Sequence, residues 1–162
     1  MKMSDSGKLP PALAEQVTQA LASKQRIVLV TGVFDLLHEE HLLFLQKAKE
    51  VGELLLVGIE SDARVRELKG LSRPIQPEAT RLAQVTVSES VDATFILPEN
   101  FNSQAAYRQL LRQVNPSILA VSSHSPYLEN KRDLMKEIGG EVVVVHQHNP
   151  AVSTSIKLQQ PH

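Results

Sequence analysis

The sequence predicts an α/β protein in which five strands form one parallel, doubly wound sheet with helices on both faces. Three observations predict this class. Five short apolar runs are rich in β-branched residues and are too short to be buried helices. A segment with helical periodicity separates each run from the next, and this alternation builds parallel sheets with right-handed crossovers. The 162 residues, 42% hydrophobic and 22% charged, are typical of a single globular domain.

The first elements are predicted to run helix, strand, helix. Prolines at the start of segment 10–24 are tolerated in a first helical turn, and apolar residues follow at helical spacing. The apolar run 26–30 ends at Thr31-Gly32, so it predicts a buried strand that leads into a tight turn. Helical spacing returns over 39–51, and Gly52 is expected to end that helix in the left-handed conformation.

The rest of the chain repeats the alternation, which makes the prediction Rossmann-like. The remaining predicted elements are the strand Leu54–Ile59, the helices Ser61–Leu68 and Pro77–Glu89, the strand Ala93–Leu97, the helix Gln104–Val114, the strand Ile118–Val121, the helix Tyr127–Ile138, the strand Glu141–His146 and a helix from about Ser153. Residues 1–9 are polar and predict a flexible tail before a single domain over 10–162. Ligands of such sheets bind beyond the carboxyl ends of the strands, so function is expected there.

Composition excludes several classes of function. With 17 basic and 18 acidic side chains the net charge is −1, so nothing draws the whole chain toward nucleic acid or an anionic membrane. The absence of cysteine excludes disulfides, thiolate metal sites and cysteine nucleophiles, and it fits a reducing compartment. No apolar run approaches the roughly 18 residues that span a bilayer, and no secretory signal is visible. We therefore expect a cytoplasmic protein.

The strongest candidate chemistry follows the first strand. Gly32 permits a sharp turn, and the start of the next helix presents unpaired amides that favour anions. His38 and His41 are three positions apart, so on a helical start both can reach one phosphate. Protonated imidazoles there would stabilise charge that develops on a transferring phosphoryl group.

A transition-metal site is a second hypothesis for the histidines. Those that fall at or beyond predicted strand ends are His38, His41, His124, His146 and His148. Imidazole and carboxylate side chains suit zinc, nickel or copper, so they could bind such an ion together with Glu39 or Glu40. The candidate ligands are His38, His41, His124 and His148.

The segment Gly32–His41 and the leucine-rich helix after it resemble the signature of the cytidylyltransferase-like nucleotidyltransferases, whose motif is His-x-Gly-His. The similarity is greater to the nucleotidyltransferase domain of the ADP-heptose synthases. It extends over residues 68–77 with Arg81, over Ser90-Val91-Asp92 and over Val152–Ser155, and it covers about residues 10–157. Residues 64–81 carry five basic and two acidic side chains, a net charge of +3, which suits phosphate binding.

The resemblance implies transfer of a nucleotidyl group from a nucleoside triphosphate to a small phosphorylated molecule, with Mg²⁺ and release of pyrophosphate. It also implies a homodimer. By position, the implied catalytic residues are His38, His41 and Lys69. The implied nucleotide-binding residues are Thr31, Gly32, Val33, Phe34, Asp35, His41, Ser153, Thr154 and Ser155. The implied contacts to substrate phosphate are Lys69, Arg73, Arg81 and His124.

Three turns depart from the family pattern. Glu40 stands at the glycine of the motif, Ser122-Ser123-His124 at a Gly-Gly-Asp turn, and Asn149-Pro150-Ala151 at an acidic-glycine turn. Two hypotheses follow. In one, Glu40 points to solvent or caps its helix, and catalysis is retained. In the other, Glu39 or Glu40 fills the anion site, and the chain is a catalytically silent member that binds a ligand, metal or partner in the former nucleotide crevice.

Overall fold

A computed structural model describes residues 1–147 and confirms the predicted fold class. Its helices are α1 (Pro11–Ala22), α2 (Glu39–Glu50), α3 (Asp62–Lys69), α4 (Glu78–Thr86), α5 (Gln104–Val114) and α6 (Leu128–Glu137). Its strands are β1 (Ile27–Gly32), β2 (Leu54–Ile59), β3 (Ala93–Ile96), β4 (Ile118–Ser122) and β5 (Glu141–His146). The helix predicted near Ser153 lies outside the described residues. Within residues 1–147, no helix combines the length and the apolar character needed to cross a membrane.

All five strands pair in parallel in the order β3-β2-β1-β4-β5. Successive side chains of a strand point to opposite faces, so Ile27 and Leu29 pack with α1, α5 and α6, whereas Val28 and Val30 pack with α2 and α4. All four are fully buried. The continuous apolar runs of the sequence therefore reflect a sheet that is covered on both faces.

Gly52 ends α2 for a different reason from the one predicted. The last helical residues lead through Val51 at a φ of −93°, and Gly52 is not left-handed. A Cβ on Gly52 would collide with the Val28 side chain and lie 2.9 Å from the Arg26 carbonyl oxygen. Glycine is required here because the chain passes close to β1.

Residues 1–9 pack against the domain, whereas the sequence predicts a flexible tail. Ile96 of β3 exchanges two backbone hydrogen bonds with this segment, donating to Met1 O and accepting from Met3 N, both at 2.9 Å. Met3 and Leu9 are buried, at 3% and 9% exposure. These two apolar side chains anchor a segment whose other residues are polar.

The sheet divides where the strand order reverses. The β1–β2 pairing continues to the end of both strands at Gly32 and Ile59. The β1–β4 pairing stops at Leu29 and Leu119, so the carboxyl ends of these two strands separate. This separation opens a crevice at the switch point, the position at which doubly wound sheets bind ligands.

Candidate functional site

A cavity of about 570 Å³, here called the first cavity, opens between the ends of β1 and β4. Its walls come from the turn after β1, the start of α2, the end of α3, β4 with the loop after it, and the end of β5. The predicted site residues that line it are Thr31, Gly32, Val33, Phe34, Asp35, His38, His41, Lys69 and His124. Ser153, Thr154 and Ser155 lie outside the described residues.

The turn after β1 folds back on itself. Phe34 has a φ of 52°, and its ring lies 2.8 Å from the position that a Cβ on Gly32 would occupy. The same ring is 5.5 Å from the His41 ring, centroid to centroid. Glycine at position 32 therefore allows the turn to bring the start of α2 over the end of β1.

His38 and His41 cap the N-terminus of α2 with their Nδ1 atoms. His38 Nδ1 accepts from the Glu40 amide at 3.2 Å, and His41 Nδ1 accepts from the His38 amide at 3.2 Å. Their rings stack with centroids 3.9 Å apart. Because Nδ1 is the acceptor in both rings, the neutral form carries its proton on Nε2. Both residues line the first cavity, and a proton on Nδ1 of either ring would break the cap.

Asp35 holds a second loop against this turn. Its carboxylate is 3% exposed and accepts from the Ile75 amide at 2.8 Å and the Gln76 amide at 3.0 Å. Gln76 Oε1 in turn accepts from the Leu36 amide at 3.1 Å. Arg73, predicted to contact substrate phosphate, lies 3.9 Å from Asp35 and is not among the residues lining the cavity. Asp35 acts here as a positioning residue.

Arg81 is a structural residue, and its predicted contact with substrate phosphate is wrong. It is fully buried. Its Nη1 donates to the carbonyl oxygens of Val33 and Glu60, both at 2.8 Å, and its Nε donates to that of Gln76 at 3.0 Å. Its Nη2 donates to Asp62 Oδ1 at 2.8 Å. Every nitrogen of the guanidinium is engaged inside the protein, so none remains for a ligand.

Lys69 is the basic residue of the 64–81 segment that lines the first cavity. Partial burial and the neighbouring Arg73 lower the pKa of the Lys69 amine, and Asp35 partly offsets them. Arg64 pairs instead with Glu67, at 2.9 Å. The basic side chains of residues 64–81 therefore do not all meet at one phosphate site, because some of them form structural or surface ion pairs instead.

Glu40 lines the first cavity and does not point freely to solvent. Its side chain is 20% exposed, and Oε2 lies 2.8 Å from His146 Nε2. Lys47 Nζ lies 3.3 Å from His146 Nδ1. An ammonium can only donate, so Nδ1 accepts and the proton of the neutral ring lies on Nε2, on the side of Glu40. The contact between Nε2 and the Glu40 carboxylate does not have hydrogen-bond geometry. The carboxylate therefore sits in the cavity wall beside a neutral histidine, and the Lys47 ammonium contacts the other nitrogen of that ring.

The histidines do not assemble as metal ligands in the part of the chain that the structure describes. His38, His41, His124 and His146 all line the first cavity. Within residues 1–147, however, no three His, Asp or Glu side chains are arranged to hold an ion. His148 lies outside the described residues, as does the turn Asn149-Pro150-Ala151. The transition-metal hypothesis gains no support from the described residues.

A second cavity of about 340 Å³ adjoins the first and was not predicted from the sequence. It lies among α3, α5 and α6. The residues lining both cavities are Thr31, Glu60, Leu68, Pro126 and Lys131. Glu60 Oε2 and Arg64 Nε are buried and have no hydrogen-bond partner in the described structure. Burial raises the pKa of the Glu60 carboxyl to about 7, against the opposing influence of Arg64, Lys131 and Arg81.

Tyr107 lines the second cavity, and Lys131 lines both. Tyr107 OH lies 3.0 Å from Thr31 Oγ1, and burial raises the pKa of this phenol to about 12. Lys131 Nζ donates to Ser125 Oγ at 2.8 Å and lies 5.8 Å from the centre of the Tyr107 ring. Burial lowers the pKa of the Lys131 amine.

Glu60 could have been found from the sequence, because it follows a strand directly. Lys131 and Tyr107 lie within amphipathic helices and carry no such signal.

Comparison with known proteins agrees with this architecture. The sequence model of the cytidylyltransferase-like family matches residues 29–159. The bifunctional protein HldE of Halorhodospira halophila is 36% identical over 136 residues, which are 83% of this chain and 28% of that protein. HldE of Cronobacter sakazakii is 32% identical over 148 residues, 90% of this chain and 30% of that protein. The chain thus spans less than a third of the length of these relatives.

Solved structures share the fold. A lipopolysaccharide core biosynthesis protein from Thermoplasma volcanium superposes with a TM-score of 0.62 at 24% identity, over 77% of this chain and 97% of that chain. A pantoate-beta-alanine ligase from Francisella tularensis gives a TM-score of 0.61 at 18% identity, over 85% of this chain and 67% of that chain. With the family match over residues 29–159 and a crevice at the switch point of the sheet, this chain belongs to the cytidylyltransferase-like family of nucleotidyltransferases.

Proposed function

We propose that the chain transfers a nucleotidyl group from ATP or CTP to a small phosphorylated acceptor, a sugar phosphate such as heptose 1-phosphate, and releases pyrophosphate. The observation that carries this proposal is the histidine pair. His38 and His41 line the first cavity at the N-terminus of α2, and both use Nδ1 for capping. These capping contacts orient both imidazole rings before any ligand binds.

The reaction we propose is a single in-line displacement. An oxygen of the acceptor phosphate attacks the α-phosphorus of the triphosphate, the bond from that phosphorus to the bridging oxygen breaks, and pyrophosphate leaves with the bond electrons. His38 and His41 would donate hydrogen bonds to phosphate oxygens as charge develops, and Lys69, which lines the same cavity, would supply a cation. Catalysis then consists of positioning and electrostatic stabilisation, with no covalent intermediate on the protein.

We propose that Mg²⁺ accompanies the triphosphate. Mg²⁺ keeps several waters and binds through substrate phosphates with few protein ligands. This fits the site, because within residues 1–147 no three His, Asp or Glu side chains form a resident metal site. When bound, the ion would neutralise charge on the phosphates. Held in this way, the ion would be bound by the phosphates and water and would require no carboxylate of the cavity.

Glu40 is the observation that favours a second candidate, a catalytically silent member that binds a ligand or partner in the same crevice. A carboxylate about 5 Å from a phosphate, at an effective dielectric of about 20, costs roughly 3 kcal/mol per unit charge. The Lys47 ammonium, 3.3 Å from the histidine that adjoins this carboxylate, reduces the repulsion. We therefore favour the active enzyme.

We infer that the chain acts in the cytoplasm, because a sequence without cysteine fits a reducing compartment. That it forms a homodimer stays a prediction.

Pyrophosphate release distinguishes the two candidates. The purified chain is incubated with Mg²⁺, ATP or CTP, and heptose 1-phosphate or mannose 1-phosphate, and pyrophosphate is measured. We expect release with at least one pair. Calorimetric titration with ATP and CTP provides the companion measurement. Activity that appears only in Glu40→Gly, or no heat with either nucleotide in the wild type, would establish the silent alternative.

A further inference from the structure

We propose that the second cavity holds the hydroxyl-bearing body of the acceptor, with Glu60 and Arg64 hydrogen-bonding its hydroxyl groups and Lys131 beside its phosphate. This rests on the proposed function and adds to it the residues that select the acceptor. Glu60 and Arg64 would be specificity-determining residues that touch substrate, outside the histidine pair and the implied phosphate-binding loop.

The first step is a pair of buried polar atoms that have no hydrogen-bond partner in the described structure. Glu60 Oε2 and Arg64 Nε are buried without a hydrogen-bond partner in the described structure, and both residues line the second cavity. Buried polar groups normally have partners, and leaving one unsatisfied is costly. One atom is an acceptor when ionised and the other is a donor. A hydroxyl group both donates and accepts, so neighbouring hydroxyls on a sugar can satisfy both atoms at once.

The second step is the neutral polar rim. Amide and hydroxyl side chains line the same cavity at the start of α5 and of α6: Asn102, Ser103, Gln104 and Asn130. Aromatic residues line it too: Phe101, Tyr107 and Tyr127. A small number of polar groups beside apolar walls is typical of sites for small organic ligands. A polyhydroxylated molecule, with apolar C–H faces and polar edges, matches this lining.

The third step is the position of Lys131. Among the described residues it is the only Lys or Arg that lines both cavities. Its ammonium lies at the junction, donating to Ser125 and facing the Tyr107 ring. An acceptor phosphate beside Lys131 would lie in the opening toward the first cavity, and its organic body would extend into the second. This placement presents the attacking oxygen to a nucleotide that is held beside the histidine pair.

The fourth step is the difference between the groups that line each cavity alone. The histidine pair and Lys69 line the first cavity and not the second. Amide and hydroxyl side chains at the start of α5 line the second and not the first. Phosphates are therefore expected in the first cavity and at the junction, and the neutral part of the acceptor is expected in the second.

Titration calorimetry tests the proposal without requiring turnover. The ligands are heptose 1-phosphate, mannose 1-phosphate, inorganic phosphate and ATP with Mg²⁺, titrated separately at pH 8. Glu60→Met and Arg64→Met remove the two hydrogen-bonding groups at nearly constant length. Their matched controls are Glu50→Met and Arg66→Met, at exposed positions. Lys131→Met is compared with Lys136→Met on the same helix. Circular dichroism verifies that each variant is folded.

We expect Glu60→Met and Arg64→Met each to weaken the better sugar phosphate about tenfold or more, with ATP unchanged. Lys131→Met should weaken sugar phosphates and inorganic phosphate together, whereas the controls bind as the wild type does. The proposal is overturned if the wild type binds neither sugar phosphate, if both cavity variants bind it normally, or if their loss is in ATP affinity. Failure of pyrophosphate release with sugar-phosphate binding intact would overturn the proposed function alone.

Discussion

The two cavities differ in how many of their polar groups the protein itself holds in place. In the first, His38 and His41 cap α2, and Asp35 accepts two backbone amides. His146 Nε2 is the exception there, since it lies 2.8 Å from Glu40 Oε2 without hydrogen-bond geometry. In the second cavity, Arg64 Nε has no hydrogen-bond partner in the described structure, and neither does Oε2 of Glu60, which lines both cavities.

This difference separates two ways of preparing a site. The first cavity is preorganised, because its donors are already oriented and need little rearrangement when charge develops. In the second, the proposed acceptor would supply the missing partners, which favours selectivity for molecules that carry complementary groups. Arg81 connects the two, since one of its nitrogens donates to both Val33 O and Glu60 O.

The largest expected effect comes from removing that connection. Arg81→Met leaves Asp62 and three carbonyl oxygens without their donor, and we expect the free energy of unfolding to fall by about 3–5 kcal/mol. Urea unfolding followed by circular dichroism measures it. Arg132→Met removes an exposed pair with Glu129 and should cost less than about 1 kcal/mol. Equal urea midpoints for the two variants would contradict the structural assignment of Arg81.

The preorganised cavity is tested by His38→Asn. Asparagine is a good N-cap residue, so its side-chain oxygen can accept from the Glu40 amide while the Nε2 donor is lost. We expect kcat for pyrophosphate release to fall about 100-fold to 1000-fold. The free energy of unfolding should change by no more than about 1 kcal/mol. Gln46→Asn, exposed on the same helix, is the control. Unchanged kcat in His38→Asn would remove this histidine from catalysis.

The buried Glu60 carboxyl in the second cavity is tested by the pH dependence of the free energy of unfolding. Burial raises the pKa of the Glu60 carboxyl to about 7 in the folded protein, above the value of about 4.3 expected when unfolded. The folded state therefore binds more protons between these values, and stability falls as pH rises through that window. We expect a loss of about 2–3 kcal/mol between pH 5 and 8 that Glu60→Gln abolishes.

The measurement is urea unfolding of the wild type and the variant at each pH, because the difference between them isolates this group. Glu50→Gln, an exposed position on α2, should keep the wild-type slope. Identical slopes for wild type and Glu60→Gln would show that this carboxyl titrates alike in the folded and unfolded states.

The smallest expected effect concerns the acidic residue in the preorganised cavity. Glu40→Gln removes a negative charge near the bound phosphates. We expect ATP to bind about fivefold more tightly, roughly 1 kcal/mol, since nearby Lys47 and solvent already screen the charge. Calorimetric titration measures this, with exposed Glu39→Gln as control. Weaker binding would mean that the Glu40–His146 contact instead maintains the shape of the site.

Much of the fold could be predicted, because strands and helices follow from local patterns. Strands β2 and β5 and helix α5 have the predicted bounds, since each is a continuous apolar run or a strongly amphipathic segment. The histidine pair was found because a turn after the first strand must lie at the ligand-binding edge. Residues 1–9 differed from prediction because Met3 and Leu9 are too widely spaced to show a period.

The functions of individual charged residues could not be predicted in the same way. Arg73 and Arg81 belong to one basic segment, yet the first lies beside Asp35 and the second is buried with four acceptors. Net charge along a segment contains no information about which side chain turns inward. Sequence position therefore indicated a phosphate-binding loop, whereas the structure leaves Lys69 from that segment in the cavity wall.

By itself, the sequence determined the order of elements, the parallel sheet and the placement of His38 and His41 at its ligand-binding edge. Those features depend on residues that are close together in the chain. Only the tertiary structure decided that Glu40 meets His146, that Lys47 supports that histidine from 99 positions away, and that a second cavity adjoins the first. Hydrogen-bond partners and cavities arise where distant segments pack, and no local pattern encodes them.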